Sequence, residues 1–206
     1  MGPIAIIDYG AGNLRSVQKA FERLGYPAHF VSSPGELDSA AAVVFPGQGA
    51  SPQAVAALNA HGMADPIRNW IADGKPFFGV CLGLQLLLDH SEEGDTPGLG
   101  VVPGYVRRFS PGLKVPHMGW NSVDLKQPHP LFDGVPEESY FYFVHSYYAA
   151  PDDPSWTAGE THYGVGFASF VARDNVVATQ FHPEKSGAPG LMLYDNFVKH
   201  LVRGRG

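Results

Sequence analysis

The stretch Phe77-Phe78-Gly79-Val80-Cys81-Leu82-Gly83-Leu84-Gln85 decides how the chain folds. Its opening residues form a short, continuous apolar run introduced by Lys75-Pro76, the pattern of a strand buried on both faces of a parallel sheet. A helix over Leu82 to His90 is expected to follow directly. Toward the N-terminus the same alternation repeats. Ile4–Asp8 reads as a strand ending at Gly10-Ala11-Gly12-Asn13. Leu14–Leu24 then places Leu14, Val17, Ala20, Phe21 and Leu24 at helical spacing and stops at Gly25. Ala28–Ser32 and Ala41–Phe45 read as further strands, and Pro52–Ala60 and Pro66–Ala72 as helices. The expected fold is α/β, with a mixed, largely parallel central sheet and helices on both faces.

Beyond Gly100 the character changes. Val101–Phe109, Tyr140–Tyr148, Gly166–Ala172 and Val176–Phe181 alternate with period two and are rich in Val, Tyr, Phe and Thr. Helix returns over Gly190–Val202. No linker, charge block or internal repeat marks the change, so one domain over residues 1–206 is expected.

Composition narrows the function. Of 206 residues 44% are hydrophobic and only 17% charged, so the chain is globular rather than disordered. A net charge of −6 offers no basic face for a phosphate backbone, and no nucleic-acid partner is expected. Arg203 and Arg205 read as a solvated tail. The mostly apolar stretch Phe77–Leu88 is too short to span a bilayer. Met1-Gly2-Pro3 leads into a strand with no basic leader region, so a soluble, reducing, cytoplasmic setting is expected. A single cysteine excludes an intrachain disulfide and any zinc motif that needs two thiolates.

That cysteine sits where a buried strand turns directly into a helix, between Gly79 and Gly83. The pattern is G-x-C-x-G, a nucleophile elbow with cysteine in place of serine. Glycines two positions away on either side relieve the crowding such a turn creates. The helix N-terminus beyond would favour thiolate over thiol. The plain alternative is a small buried hydrophobe. A thiolate nucleophile needs a base, and the base needs an orienter. Val176–Phe181 runs into His182-Pro183-Glu184-Lys185, and in an extended segment His182 and Glu184 share one face. Both Cys81 and His182 fall at strand C-termini, where functional groups of parallel sheets gather. Oxyanion donors are expected from the turn Pro46-Gly47-Gln48-Gly49 and from the N–H of Leu82.

Cofactor and metal signals fail. His182-Pro183-Glu184 opens a zinc-deaminase pattern, but no cysteine follows it. There is no phosphate-binding G-x-x-x-x-G-K-[ST], and Gly10-x-Gly12 lacks its third glycine because Arg15 stands there. No cofactor and no metal are expected.

The blocks Gly79-Val80-Cys81-Leu82-Gly83-Leu84-Gln85-Leu86-Leu87 and Phe181-His182-Pro183-Glu184-Lys185-Ser186 resemble the signatures of class I glutamine amidotransferases. Pro46-Gly47-Gln48-Gly49 resembles that family's oxyanion strand, with Gln48 where a small apolar residue is more familiar. Asp8–Asn13, Pro116–Asn121 and Tyr142–Tyr147 narrow the resemblance to the glutaminase subunits of imidazole glycerol phosphate synthases, of histidine biosynthesis. The resemblance implies an amidotransferase-like fold and a Cys81, His182, Glu184 triad that hydrolyses glutamine through a thioester. It also implies an oxyanion hole of Leu82 and, after a peptide reorientation, Gln48. Glutamine would be held by Gly47, Gly49, Gln85, Glu93, Ser146 and Tyr147. The implied partner is a cyclase subunit with a (β/α)8 barrel, docked as a heterodimer near Asn13, Met118, Trp120, Tyr142 and Lys185. Two alternatives stand beside it: an amidotransferase subunit of anthranilate or aminodeoxychorismate synthesis, and a catalytically silent regulatory protein on the same fold.

Overall fold

A computed structural model describes residues 2–204. Arg205, half of the expected tail, lies outside them. Arg203 is exposed, and its guanidinium lies 5.2 Å from the centre of the Tyr26 ring.

In chain order the first half gives β1 (Ile4–Ile7), α1 (Leu14–Arg23), β2 (Ala28–Val31), β3 (Ala42–Gly47), α2 (Ser51–Ala60), α3 (Ala64–Ala72), β4 (Phe77–Cys81) and α4 (Leu82–Gln85). There follow β5 (Leu88–Ser91), β6 (Thr96–Pro97), β7 (Val102–Arg108), β8 (His117–Ser122), β9 (Asp124–Leu125), β10 (Tyr140–His145) and β11 (Tyr147–Pro151). The chain closes with β12 (Thr157–Tyr163), β13 (Val165–Arg173), β14 (Val176–Thr179) and α5 (Gly187–Asn196), which continues as a π-type turn over Phe197–Val202.

One large sheet runs β2-β1-β3-β4-β14-β13-β11-β7-β5-β6, with β12 and β9 branching from β13. The pairs from β2 through β14 are parallel, and those joining β14, β13, β11 and β7 are antiparallel. Alternation along each strand sends side chains to opposite faces. Ile4, Ile6, Val44 and Phe78 pack with Val17 and Phe21 of α1 and with Leu193 and Tyr194 of α5. Ala5, Ile7, Val43 and Phe77 pack on the other face with Leu58 of α2 and with Ile67 and Trp70 of α3. Each fully buried side chain of this kind stabilises by about 1.5–3 kcal/mol. The mixed, largely parallel sheet with helices on both faces is the expected one.

Several local expectations are corrected. The helix over Leu82 to His90 is a single turn, Leu82–Gln85, and Leu88 begins a strand. The carbonyls of Leu86, Leu87 and Leu88 accept hydrogen bonds from Leu99, Val101 and Gly100 instead of from the next helical turn. A run of four leucines in five positions is apolar on every face, so its period could not reveal this. The Tyr140–Tyr148 run is two strands. Tyr140–His145 pairs with β8 as a separate antiparallel ribbon, and after Ser146 the chain crosses to the large sheet. The last helix starts at Gly187, not Gly190. His117–Ser122 and Thr157–Tyr163 are strands that the sequence did not single out.

Candidate active site

Cys81 ends β4 with φ 53° and ψ −101°, a conformation that costs a non-glycine residue on the order of 1–3 kcal/mol. The neighbouring glycines make room for it. A Cβ on Gly79 would lie 2.8 Å from the backbone of Gly83, and one on Gly83 would overlap the carbonyl of Phe45. The thiol is 7% exposed. The helix after it has only four residues, too few for the macrodipole effect that the sequence suggested. The polar neighbours of the sulfur are instead the Gln180 Nε2, 3.5 Å away, and the Val144 carbonyl at 4.0 Å.

Because β14 lies parallel to β4, with Thr179 opposite Val80, the chain after Thr179 leaves the sheet beside Cys81. His182 and Glu184 do not share the face of an extended strand, as the sequence implied. Pro183–Lys185 is a 3₁₀ turn, and the turn carries Glu184 back so that its Oε1 lies 2.8 Å from His182 Nδ1. The same turn is tied down by His182 N–H donating to the Tyr142 carbonyl and by Ser186 Oγ donating to the His182 carbonyl. Tyr194 donates to the other carboxylate oxygen. Nε2 of His182 is buried and has no hydrogen-bond partner of good geometry among the described residues. Burial pushes the His182 pKa down, but attraction to a charged Cys81 sulfur and to Glu184 outweighs it and raises the pKa to about 10.

A cleft of about 260 Å³ opens over the sulfur. Gly49, Leu82, Gln85, Glu93, Ser146 and Tyr147 line it. The chain crossing after Ser146 is what brings Ser146 and Tyr147 to its wall. Gln85 is held by its Nε2, which donates to the Tyr147 carbonyl at 2.8 Å and to Gln180 Oε1 at 3.2 Å. Glu93 accepts from the N–H and hydroxyl of Ser51 at 2.7 and 3.0 Å. A wider surface cleft of about 390 Å³ lies beside Trp70 and Lys75, away from Cys81.

Two expected residues stay outside the cleft lining. Gly47 pairs with Cys81 across the sheet, where a side chain would overlap Leu82. Gln48 directs its N–H to the Tyr9 hydroxyl at 3.0 Å, and that hydroxyl donates to the Gln48 carbonyl at 3.0 Å. The Gln48 N–H, expected as the second oxyanion donor, is therefore held by Tyr9 in this structure. Burial raises the Tyr9 pKa to about 12, with the Gln48 hydrogen bond acting the other way, so the hydroxyl stays protonated near neutral pH.

The expected docking residues Met118, Trp120, Tyr142 and Lys185 share one face, the first two exposed and the other two half-buried. Met118 and Trp120 of β8 are 61% and 57% exposed. Trp120 lies in register with Tyr142, their rings 5.9 Å apart, and Lys185 Nζ sits 5.8 Å from the Tyr142 ring. Asn13 is exposed at the start of α1, which packs against the Pro183–Lys185 turn. Tyr140, 57% exposed on the same ribbon, extends this face and was not singled out.

The sequence also missed His117 and His145. His145 Nδ1 donates to the Tyr147 carbonyl at 2.8 Å, which leaves its Nε2 to accept from His117 Nδ1 at 2.9 Å. His117 stacks on Tyr163 with centroids 4.1 Å apart. Burial lowers the pKa of His117 to about 4 and that of His145 to about 3, so both are neutral near pH 7. Tyr9 and Gln180 were missed too. Gln180 carried a readable signal, as the one polar residue inside the apolar run Val176–Phe181 apart from Thr179.

Residues 5–201 match the family model described as glutamine amidotransferase class-I. A protein named imidazole glycerol phosphate synthase subunit HisH from Desulfitobacterium hafniense is 51% identical over 197 residues, 95% of this chain and 93% of its own length. Its namesake from Moorella thermoacetica is 50% identical over 207 residues, covering 100% and 98%. That from Aromatoleum aromaticum is 49% identical over 209 residues, covering 96% and 98%. Among solved structures, a glutamine amidotransferase crystal structure superposes with a TM-score of 0.77 at 22% identity, covering 96% of this chain and 98% of that one. The structure of PurLQS from Thermotoga maritima gives 0.76 at 21%, covering 98% and 100%. Likeness at that identity shows the fold.

Proposed function

The chain belongs to the class I glutamine amidotransferase family, and from that premise we infer how its cleft works. It is a glutaminase subunit of imidazole glycerol phosphate synthase, an enzyme that takes part in a complex with a cyclase partner. Residues 1–206 act as one glutaminase domain, working in the cytoplasm.

Cys81 is the nucleophile. Its thiolate forms a bond to the side-chain carboxamide carbon of glutamine, giving a tetrahedral oxyanion. The oxyanion collapses as the C–N bond breaks, and the imidazolium of His182 gives its proton to the departing ammonia. His182 then takes a proton from water, whose oxygen attacks the thioester and releases glutamate and the thiolate. Glu184 holds the imidazole by Nδ1 and leaves Nε2 facing the reaction. Glu93 and Gln85 hold the α-amino and carboxylate end of glutamine, together with Gly49, Ser146 and Tyr147. Leu82 N–H is one oxyanion donor. Gln48 N–H becomes the second when its peptide turns away from Tyr9.

Ammonia leaves toward the face of Asn13, Met118, Trp120, Tyr142 and Lys185. There a (β/α)8 barrel cyclase subunit docks and uses it to form imidazole glycerol phosphate and aminoimidazole carboxamide ribotide. The observation that carries this mechanism is the strained, glycine-flanked Cys81 at the cleft, with the buried His182–Glu184 pair electrostatically coupled to its sulfur. A glutamine-like electrophile is expected to label Cys81 and to fail in His182→Ala. Equal labelling in both proteins would remove His182 from the mechanism.

A further inference from the structure

Gln180 is fully buried at the exit of β14, and its carboxamide lies between the sulfur of Cys81 and the side chain of Gln85. The orientation of that carboxamide follows from its neighbours. The Tyr147 carbonyl only accepts, so the group Gln85 offers it at 2.8 Å must be the amide nitrogen. The second hydrogen on that nitrogen then points at Gln180, which must present its oxygen, 3.2 Å away. Gln180 is left with its Nε2 toward Cys81, at 3.5 Å from Sγ. One backbone carbonyl thus sets the direction of a chain of three hydrogen bonds that ends on the sulfur. The same carbonyl also accepts from His145 Nδ1, so it is fixed from a second side.

We propose that Gln180 is a further catalytic residue, an N–H donor that stabilises the Cys81 thiolate and wires it to the Gln85 side of the cleft. A hydrogen bond to a charged acceptor is among the stronger ones, more so out of water. The charge of His182 also favours a negative sulfur, and Gln180 Nε2 adds a second donor 3.5 Å from it. The chain also gives Gln85 a fixed polarity: both its hydrogens are used, and its Oε1 is left as an acceptor for the substrate's ammonium group. This rests on the glutaminase mechanism above for its catalytic meaning, but not for its measurement.

The test is the pH dependence of Cys81 alkylation by iodoacetamide in the full chain, compared among wild type, Gln180→Met and Gln180→Glu. Gln180→Met removes the donor. Gln180→Glu keeps an oxygen for Gln85 while setting a carboxylate against the sulfur. Loss of the donor is expected to move the alkylation profile up by about one pH unit or more, a tenfold loss of thiolate below the plateau. The glutamate variant moves further, and the plateau rate at high pH is retained or rises by about threefold for each pH unit moved in both. Superimposed profiles overturn the proposal, as does a plateau rate that collapses without a shift. If Gln180→Met does not fold, Gln180→Ala, which removes the donor without adding charge, decides: an upward shift supports the donor, and superposition on wild type overturns it. Glutamine turnover by the wild type with the cyclase subunit is measured alongside. Its absence would remove the glutaminase mechanism and leave the alkylation result to decide Gln180.

Discussion

His182 and His145 are about equally buried, 1% and 5% exposed, yet their protonation is driven in opposite directions. His182 is raised to about 10 and His145 lowered to about 3, with its partner His117 at about 4. Burial lowers all three. The difference lies in what faces each ring. His182 meets a carboxylate and a sulfur, both able to carry negative charge. His145 meets a carbonyl oxygen and another imidazole, which a neutral ring satisfies completely. One pair holds a proton, which the proposed mechanism would move, and the other keeps the Tyr147 wall of the cleft in place without one.

The largest expected effect comes from turning the first pair into the second. Glu184→Gln keeps the shape and removes the charge. Glutamine turnover with the cyclase subunit should fall about a thousandfold or more, by analogy with neutralised triad carboxylates. The His182 titration, followed by NMR, should drop from its raised value. A His182 pKa that stays high would mean that Glu184 is not what distinguishes the two pairs.

The acid limb of stability tests the other half. The His117 and His145 pKa values are depressed, so their contribution is present above the unfolded value of about 6.5 and lost as pH falls toward 4 and 3. Unfolding free energy should fall by at least about 2 kcal/mol between pH 7 and 4.5, at about 1.4 kcal/mol per pH unit for each group. Replacing both rings by Asn should flatten that limb. His182 has the opposite sign: its contribution is complete below about 6.5 and is lost as pH rises toward 10.

Much of this site was legible in the sequence, and the limits have physical causes. Cys81 was findable because a G-x-C-x-G turn has few other uses, and Ile4–Ile7, Leu14–Arg23 and Phe77–Cys81 because their periods are clean. The end of α4 was hidden because Leu84, Leu86, Leu87 and Leu88 are apolar on every face. The break at Ser146 was hidden because the alternation continues through it while the strand changes sheets. His117 and Gln180 could not be placed because their roles depend on partners 28 and 99 residues away. Tyr9, whose hydroxyl occupies Gln48, is paired across 39 residues.

Smaller effects sharpen the contrast. His117→Phe keeps the stack on Tyr163 but leaves His145 Nε2 without a donor, which should cost about 1–3 kcal/mol in denaturant unfolding. It should raise KM for glutamine more than it lowers kcat, because the wall moves and the triad does not. A kcat loss as deep as that of Glu184→Gln would contradict the division of labour between the pairs. Tyr9→Phe is expected to act least. Freeing the Gln48 backbone should raise glutamine turnover by the isolated chain about threefold, the scale of one hydrogen bond, with little change once the cyclase subunit is bound. A fall in both rates would make Tyr9 a plain structural residue.

The most direct measurement is glutamine hydrolysis by the isolated chain, then with the cyclase subunit, then with the cyclase subunit and its nucleotide ligand, using Cys81→Ala as the control. The predicted result is weak turnover alone, strong stimulation by the liganded partner, and none in the control. Full activity in the isolated chain with indifference to the partner, or turnover that survives Cys81→Ala, would contradict a partner-controlled thiolate site.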